Sequence, residues 1–303
     1  MSSTSTGRNV FPKADRYLIA ITLIWGSTFS VTKVILEDMP PLMLQGVRFA
    51  LAALMVGIYT RRDIRATNRA SLKAGIILGL MLGGGFALQT VGLVQTTASK
   101  AGFLTGTMVI FTPMLQLAIE RRLPTIANLI GVLVVAVGMY LFTMPGAGDF
   151  NSGDMLVLFC AVVFAFYIVY LDVFTKEKFH REIVFYQFVV TSIMGFAGAL
   201  LLGDASTHIS GDALLGLLYL ALFASSIAIF VQSKYQREST PTKAAIIFSL
   251  EPVFAALMAW MILDERMSAL EATGAAIMFL GLLVSEIGSA LRFGKQREHP
   301  ADS

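Results

Sequence analysis

The sequence predicts an all-α integral membrane protein in which ten transmembrane helices form two inverted five-helix repeats. Three observations lead to this fold class: the composition, a series of apolar stretches and an internal repeat. Of the 303 residues, 56% are hydrophobic and 14% are charged, and the mean hydropathy is +0.73. A soluble domain has roughly 45–50% apolar and about 25% charged residues. Ten crossings of about 20 residues use about 200 residues, which leaves no room for a separate water-soluble catalytic domain and argues against a soluble enzyme.

Ten apolar stretches, separated by short polar or Pro/Gly-containing segments, have the length of a bilayer-spanning helix. The first stretch has the basic flank of a signal peptide, but no small-residue cleavage pattern follows it, so we interpret it as a retained span. The predicted helices comprise residues 17–35, 42–60, 73–95, 98–119, 125–143, 154–174, 182–202, 212–234, 243–262 and 268–288.

The distribution of basic residues indicates the orientation, because Lys and Arg are enriched in cytoplasmic loops. With a cytoplasmic N-terminus, 19 of the 23 basic residues lie on the cytoplasmic side. Lys100 and Arg266 lie outside, and Lys33 and Arg48 lie within helices. This asymmetry supports an even number of crossings and predicts that both termini are cytoplasmic. It also explains the formal charge of +3, so a nucleic-acid partner is not expected.

An internal repeat divides the chain into two halves. Residues 97–101, Thr-Ala-Ser-Lys-Ala, recur as residues 240–244, Thr-Pro-Thr-Lys-Ala, at a shift of 143 positions. The same shift relates two pairs of glycines, Gly131 with Gly274 and Gly138 with Gly281. Because five is an odd number, two successive five-helix units enter the membrane from opposite sides and are inverted, as in many secondary transporters.

The repeat and the helices together predict the domain organisation. A cytoplasmic tail of residues 1–16 precedes the first five-helix repeat, residues 17–143. A linker of residues 144–153 leads to the second repeat, residues 154–288, and residues 289–303 form a second cytoplasmic tail.

Several short motifs occur in a specific order and spacing along the chain. They are Trp25-Gly26-Ser27-Thr28-Phe29, Arg48-Phe49, residues 102–106 with Pro113, Glu251-Pro252, Glu265-Arg266, Gly274 and Gly281. Together they resemble the motifs of the EamA-type members of the drug/metabolite transporter superfamily. The resemblance implies ten helices in duplicated halves and a multi-pass carrier of small metabolites in the bacterial cytoplasmic (inner) membrane, frequently an exporter of amino acids. The first half of this chain departs from the pattern where Glu120-Arg121-Arg122 replaces a Glu-Arg pair, so residue roles cannot be copied between halves.

Two charged residues within predicted helices are candidate substrate-binding residues. An ionised carboxylate at the bilayer centre costs about 2.5–3.5 kcal/mol on insertion scales, so Glu251 needs a compensating interaction. It could bind a substrate amine or carry a coupling proton, or it could pair with Arg48 in a purely structural role. Arg48 could bind a substrate carboxylate through two hydrogen bonds, or it could hold the helix bundle together.

Aromatic and hydroxyl side chains meet at the middle of the first and sixth predicted helices. Trp25, Ser27 and Thr28 occupy the first, and Tyr167 belongs to an aromatic run in the sixth. An aromatic cavity with a few hydroxyls suits a small amphipathic molecule better than an inorganic ion. The alternative is that these rings belong to the core or face lipid.

Two glutamines and two prolines complete the candidate residues. Gln89 and Gln232 are repeat counterparts and are interpreted as gate or rim residues, or as hydrogen bonds between helices. Pro113 and Pro252 lie inside predicted helices and are expected to bend them there, because proline lacks a backbone donor.

The sequence favours a secondary transporter of small organic metabolites, in particular an exporter of amino acids or similar zwitterions that works by alternating access around a central cavity. The alternatives are a lipid or amphiphile flippase and a non-transporting membrane sensor or scaffold. The expected partners are a small-molecule substrate and the lipid bilayer, and the oligomeric state is open. No enzyme activity, cofactor or metal site is expected, because the sequence has one cysteine, no phosphate-binding glycine loop and no intramembrane histidine cluster. If transport is coupled to an ion, the favoured ion is a proton bound at Glu251.

Overall fold

The computed structural model describes residues 12–143, 149–176, 179–203, 209–263 and 268–298, which form helices and short connections without strands. A π-helical stretch, Leu220–Ile227, joins α11 to α12, and a 3-10 turn follows α12 at Gln236–Glu238. The α-helices are α1 (Lys13–Gly26), α2 (Thr28–Leu36), α3 (Pro41–Tyr59), α4 (Arg61–Arg65), α5 (Arg69–Gln95), α6 (Ala98–Gly106), α7 (Met108–Glu120), α8 (Ile126–Thr143), α9 (Ser152–Thr175), α10 (Glu182–Leu201), α11 (Gly211–Tyr219), α12 (Ala228–Tyr235), α13 (Pro241–Phe248), α14 (Glu251–Leu263) and α15 (Ala269–Glu298).

Seven helical stretches of the described chain are long and apolar enough to cross a membrane. Two shorter apolar helices, Ile126–Phe142 and Ala269–Ser285, accompany them. The seven are Lys13–Leu36, Pro41–Tyr59, Arg69–Gln95, Lys100–Glu120, Ser152–Thr175, Glu182–Leu201 and Gly211–Glu238.

Large apolar side chains cover the outer surface of the helix bundle. Leu54 is 61% exposed, and Leu133 and Leu215 are each 68% exposed. A soluble monomer rarely exposes extended apolar surface, whereas lipid tails solvate such side chains well. The surface is therefore that of an integral membrane protein.

Three predicted helices are interrupted rather than continuous. The first is divided at Ser27, the fourth at Thr107, and the ninth between Phe248 and Glu251. At Thr107 the hydroxyl donates to the Leu104 carbonyl at 2.5 Å, a local bond that competes with the helical pattern.

Pro113 and Pro252, which were expected to bend their helices, each follow one of these interruptions. α7 passes through Pro113 without a break. Pro252 lies in the first turn of α14, where a helix needs no backbone donor and tolerates proline. A proline alone did not locate the break, because neighbouring hydroxyl groups and packing also determine where a helix is interrupted.

Several helix ends also differ from the sequence-based bounds. α1 begins at Lys13, inside the predicted tail, and α15 extends to Glu298, beyond the predicted end at residue 288. α5 begins at Arg69 because the Asn68 side chain accepts a hydrogen bond from the Ser71 backbone N–H at 2.8 Å. The predicted linker falls partly outside the described residues.

Glycines allow close contacts between helices. α8 packs against α15, with Gly131 next to Gly281 and Gly138 next to Gly274. A Cβ atom on Gly138 would lie 2.7 Å from the Gly274 carbonyl oxygen. Such contact between backbones is typical of membrane helix pairs with small residues at the interface.

Candidate functional site

A cavity lies between the helices that precede and follow the interruptions. Trp25 and Thr28 flank the first interruption, and Thr105 and Met108 flank the second. Phe248 and Glu251 flank the third. Three broken helices therefore direct their breaks to one cavity, which is where membrane transporters place discontinuous helices. The lining residues are Trp25, Thr28, Arg48, Leu82, Phe86, Gln89, Thr105, Met108, Phe164, Tyr167, Ile168, Ile229, Gln232, Phe248 and Glu251.

All but one of the predicted binding and gate residues line this cavity. Those that do are Trp25, Thr28, Arg48, Gln89, Tyr167, Gln232 and Glu251. Ser27 is not among the lining residues, because its hydroxyl lies at the break in the helix. It donates to the Ile24 carbonyl at 2.8 Å and is hydrogen-bonded to the Tyr219 phenol at 2.7 Å.

Arg48 is held in place by its Nε atom and by two aromatic rings. Its Nε donates to the Ser225 hydroxyl at 2.8 Å, and the side chain is buried. The guanidinium carbon lies 4.7 Å from the ring centre of Phe86 and 5.2 Å from that of Phe49. Within the described ranges, no hydrogen bond engages the two terminal nitrogens of this guanidinium. These terminal nitrogens therefore remain available to an anionic group in the cavity.

Glu251 supplies the second ionisable group of the cavity. Its side chain is 8% exposed, and no salt bridge or hydrogen bond to its carboxyl is present among the described residues. The pairing of Arg48 with Glu251, which the sequence left open, does not occur in the described chain. Arg48 is instead occupied by Ser225 and the two rings, so the guanidinium and the carboxyl line one cavity without forming an ion pair.

The π-helical stretch positions Trp25 and Arg48 together. The Trp25 indole N–H donates to the Ala224 carbonyl at 3.0 Å, and Ser225, the next residue, accepts from Arg48. The Ser226 hydroxyl donates to the Ala221 carbonyl at 2.8 Å, five residues earlier. π-helical turns inside α-helices are frequent at functional sites because they redirect backbone groups in this way.

Hydrogen bonds fix the uncharged polar residues of the cavity. The Gln89 amide donates to the Thr105 hydroxyl at 3.1 Å, and the Gln232 amide donates to Gln236 at 2.9 Å. The Tyr167 hydroxyl donates to Gln187 at 2.8 Å. Gln89 and Gln232 thus both line the cavity and also bond between or along helices, so both sequence-based interpretations agree with their positions.

Aromatic rings form most of the remaining wall. Trp25 contacts Phe248 edge to face with ring centres 5.2 Å apart, and Phe86 contacts Phe164 in the same way at 5.4 Å. Gly85 makes room for Phe164, since a Cβ atom there would lie 2.3 Å from that ring. This wall suits an organic ligand with apolar surface.

Several of the lining residues were not predicted from the sequence. Leu82, Phe86 and Gln89 are spaced i, i+4, i+7 and lie on one face of α5. This helical spacing from Gln89 could have identified Phe86. Thr105, Met108 and Phe248 had no such signal, because their place depends on the helix interruptions.

No group of three His, Cys, Asp or Glu side chains within the described ranges could hold a metal ion.

Comparison with known proteins gives a consistent classification. The model of the EamA-like transporter family matches residues 13–144 and, separately, residues 151–286. A transporter of Archaeoglobus fulgidus, named as uncharacterized, is 32% identical over 271 residues, 89% of this chain and 85% of that protein.

More distant relatives have more specific names. The Escherichia coli protein YedA, named an uncharacterized inner membrane transporter, is 26% identical, with 90% of each chain covered. Another Escherichia coli protein, named "Probable amino-acid metabolite efflux pump", is 24% identical, with 89% of this chain and 93% of that protein covered. One solved crystal structure has a TM-score of 0.74 at 17% identity, covering 90% of this chain and 96% of that chain, a likeness of fold alone.

Proposed function

The chain belongs to the EamA-like transporter family, and from this premise we propose that it exports amino acids or similar zwitterions by alternating access around the cavity. The substrate carboxylate would bind the terminal nitrogens of Arg48, and its ammonium group would bind Glu251. The aromatic wall would contact the side chain of the substrate.

The observation that carries this proposal is an arginine and a glutamate that line one aromatic cavity without pairing with each other. Ionisable residues within membrane-spanning segments are costly and commonly mark a substrate or ion pathway. A zwitterion offers a carboxylate to the guanidinium and an ammonium group to the ionised carboxyl, and it adds no net charge. The relative named as an amino-acid metabolite efflux pump supports the same substrate class.

The proposal includes ten membrane-spanning segments in two inverted halves. Two separate matches to one family model support the duplication. The glycine contacts of α8 and α15 support the inversion, because the repeat relates Gly131 to Gly274 and Gly138 to Gly281. An axis that exchanges the halves converts the Gly131–Gly281 contact into the Gly274–Gly138 contact, and both are present.

We also propose a location in the cytoplasmic membrane with both termini on the cytoplasmic side. The basic-residue asymmetry supports this orientation. The name of YedA as an inner membrane transporter supports the location.

Glu251 would also couple transport to protons. Its carboxylate can bind the substrate ammonium or a proton, but a protonated carboxyl no longer attracts the ammonium. Substrate leaving on one side would therefore be exchanged for a proton entering from that side, which gives export driven by the proton gradient.

Uptake into vesicles reconstituted with the purified protein tests the substrate assignment. Labelled amino acids are compared with the matching amine, which lacks the carboxylate, and the matching carboxylic acid, which lacks the ammonium. The parent protein should prefer the amino acid. In Arg48→Gln the KM for the amino acid should rise about 10- to 150-fold, the equivalent of about 1.5–3 kcal/mol for a hydrogen bond to a charged group, and the preference over the amine should disappear.

Glu251→Gln should lose the preference over the carboxylic acid and the response to a pH gradient, while the protein remains folded. Lys176→Gln is a matched control, because Lys176 is exposed, does not line the cavity and forms its ion pair with Asp172, four residues earlier in the chain. Flux of amino acids that is unchanged in both cavity variants would contradict the proposal.

A further inference from the structure

Two buried ion pairs each connect a helix of the first half of the chain to a helix of the second half. The Lys100 Nζ lies 2.7 Å from the Asp154 Oδ2, with side chains 5% and 0% exposed. The Lys243 Nζ lies 2.7 Å from the Asp15 Oδ2, with side chains 9% and 2% exposed. We refer to these as the 100–154 pair and the 15–243 pair.

The two pairs are counterparts within the internal repeat. A shift of 143 positions carries Lys100 onto Lys243, and a shift of 139 carries Asp15 onto Asp154. The local structure repeats as well, since the threonine three residues before each lysine caps its helix. Thr97 accepts from the Lys100 backbone N–H, and Thr240 accepts from the Lys243 backbone N–H, each at 3.2 Å.

Each ion pair joins the first half of the chain to the second half. The 100–154 pair links α6 to α9, and the 15–243 pair links α13 to α1. In the proposed topology the first lies at the extracytoplasmic end and the second at the cytoplasmic end. The two contacts therefore join the halves near opposite faces of the membrane.

The lysines do not serve the stability of their own helices. Both lie in the first turn of a helix, where the helix dipole disfavours a positive charge. Burying an ion pair also removes two charges from water, which apolar side chains of similar size would avoid. When the two helices of a pair separate, water can solvate both charges, which lowers the cost of breaking the contact. An ion pair is therefore suited to a contact that must open.

We propose that the 100–154 pair and the 15–243 pair are the contacts that close the extracytoplasmic and cytoplasmic gates, and that they break alternately during transport. This inference rests on the proposed function. It assigns positioning roles to Asp15, Lys100, Asp154 and Lys243, none of which lines the cavity.

Further hydrogen bonds surround the 100–154 pair. Asp154 also accepts from the Thr96 hydroxyl at 2.5 Å and the Asn151 backbone N–H at 2.8 Å, and Lys100 donates to the Asp149 carbonyl at 2.7 Å.

Accessibility of a cysteine in the cavity tests this inference without any substrate. Cys160 is the single cysteine and is buried, so Cys160→Ala gives a cysteine-free background. Met108→Cys then places one thiol in the cavity wall. A membrane-impermeant maleimide is added to one side or the other of vesicles in which the protein has a known orientation.

Breaking one pair should open one side only. Lys100→Gln should raise the labelling rate from the extracytoplasmic side by about tenfold or more, and Lys243→Gln should do so from the cytoplasmic side. Lys100→Arg and Lys243→Arg keep the charge and should label like the parent. Lys176→Gln removes a lysine whose ion pair does not join the halves, and it should also leave both rates unchanged.

Exchanging the two charges of one pair distinguishes loss of the ion pair from loss of folding. Asp15→Lys combined with Lys243→Asp should restore the parent labelling rates, because neither side chain caps a helix. Labelling that rises equally from both sides, or does not change in either variant, would overturn the inference. If labelling is side-specific but no zwitterion is transported, the proposed substrate is wrong and the assignment of the gates is supported. If zwitterions are transported but labelling is unchanged, the assignment of the gates is wrong and the proposed substrate is supported.

Discussion

The contact between α8 and α15 provides a quantitative test of the fold. In Gly138→Ala, the new Cβ atom would lie 2.7 Å from the Gly274 carbonyl oxygen and 2.8 Å from the Met278 backbone nitrogen. Both are backbone atoms, so no side chain can rotate away and the two helices must separate. Overpacking of this kind costs about 1–3 kcal/mol. The substitution also gains up to about 1 kcal/mol, because alanine favours the helix more than glycine does.

Gly84→Ala is the matched control, because a Cβ atom on Gly84 would meet no atom within 4 Å. The control has the same gain in helix propensity without the clash, so the two variants should differ by about 1–3 kcal/mol in unfolding free energy. At about 2–4 °C per kcal/mol, Gly138→Ala should melt roughly 2–12 °C below Gly84→Ala in thermal unfolding of the purified protein in detergent.

The same experiment separates stability from substrate binding. α8 and α15 contribute no residue to the described cavity lining, so the KM of Gly138→Ala should stay close to that of the parent. Equal melting temperatures for Gly138→Ala and Gly84→Ala would refute the close approach of these two helices, and with it the contact symmetry that supports the inverted repeat.

Two further predictions concern the π-helical stretch. Trp25→Phe removes the indole donor from the Ala224 carbonyl and should lower the unfolding free energy by about 1–3 kcal/mol in chemical denaturation; unchanged stability would show that the carbonyl has another partner. Ser225→Ala removes the acceptor of the Arg48 Nε and should raise the KM for an amino acid about threefold to tenfold, less than Arg48→Gln does. In a double variant with Arg48→Gln it should add no further change in uptake, and an additive effect would contradict its role in orienting Arg48.

Much of the candidate site could be predicted from individual residues. Arg48 and Glu251 were recognisable because a charge within an apolar stretch is costly unless it has a function or a partner. Gln89 and Gln232 were recognisable because the repeat relates them. All four line the cavity, but the choice between mutual pairing of the two charges and their separate exposure to the cavity required coordinates.

The helix interruptions were harder to predict. The prolines predicted a bend in two helices, and both of these helices are interrupted before the proline, at Thr107 and between Phe248 and Glu251. The interruption at Ser27 lies in a stretch with no proline. Such breaks depend on local hydroxyl bonds and on groups of other helices that satisfy the freed backbone. A single sequence does not indicate which groups these are.

The sequence by itself determined the helical membrane class, the division into related halves and the charges that need partners, because composition and spacing carry the cost of placing polar groups in lipid. The tertiary structure alone decided which charges meet. It joins Lys100 to Asp154 and Lys243 to Asp15 and keeps Arg48 apart from Glu251. The physical reason is that a buried charge in a sequence shows only that some partner must be present. Which residue is that partner depends on how helices that are distant in sequence pack together.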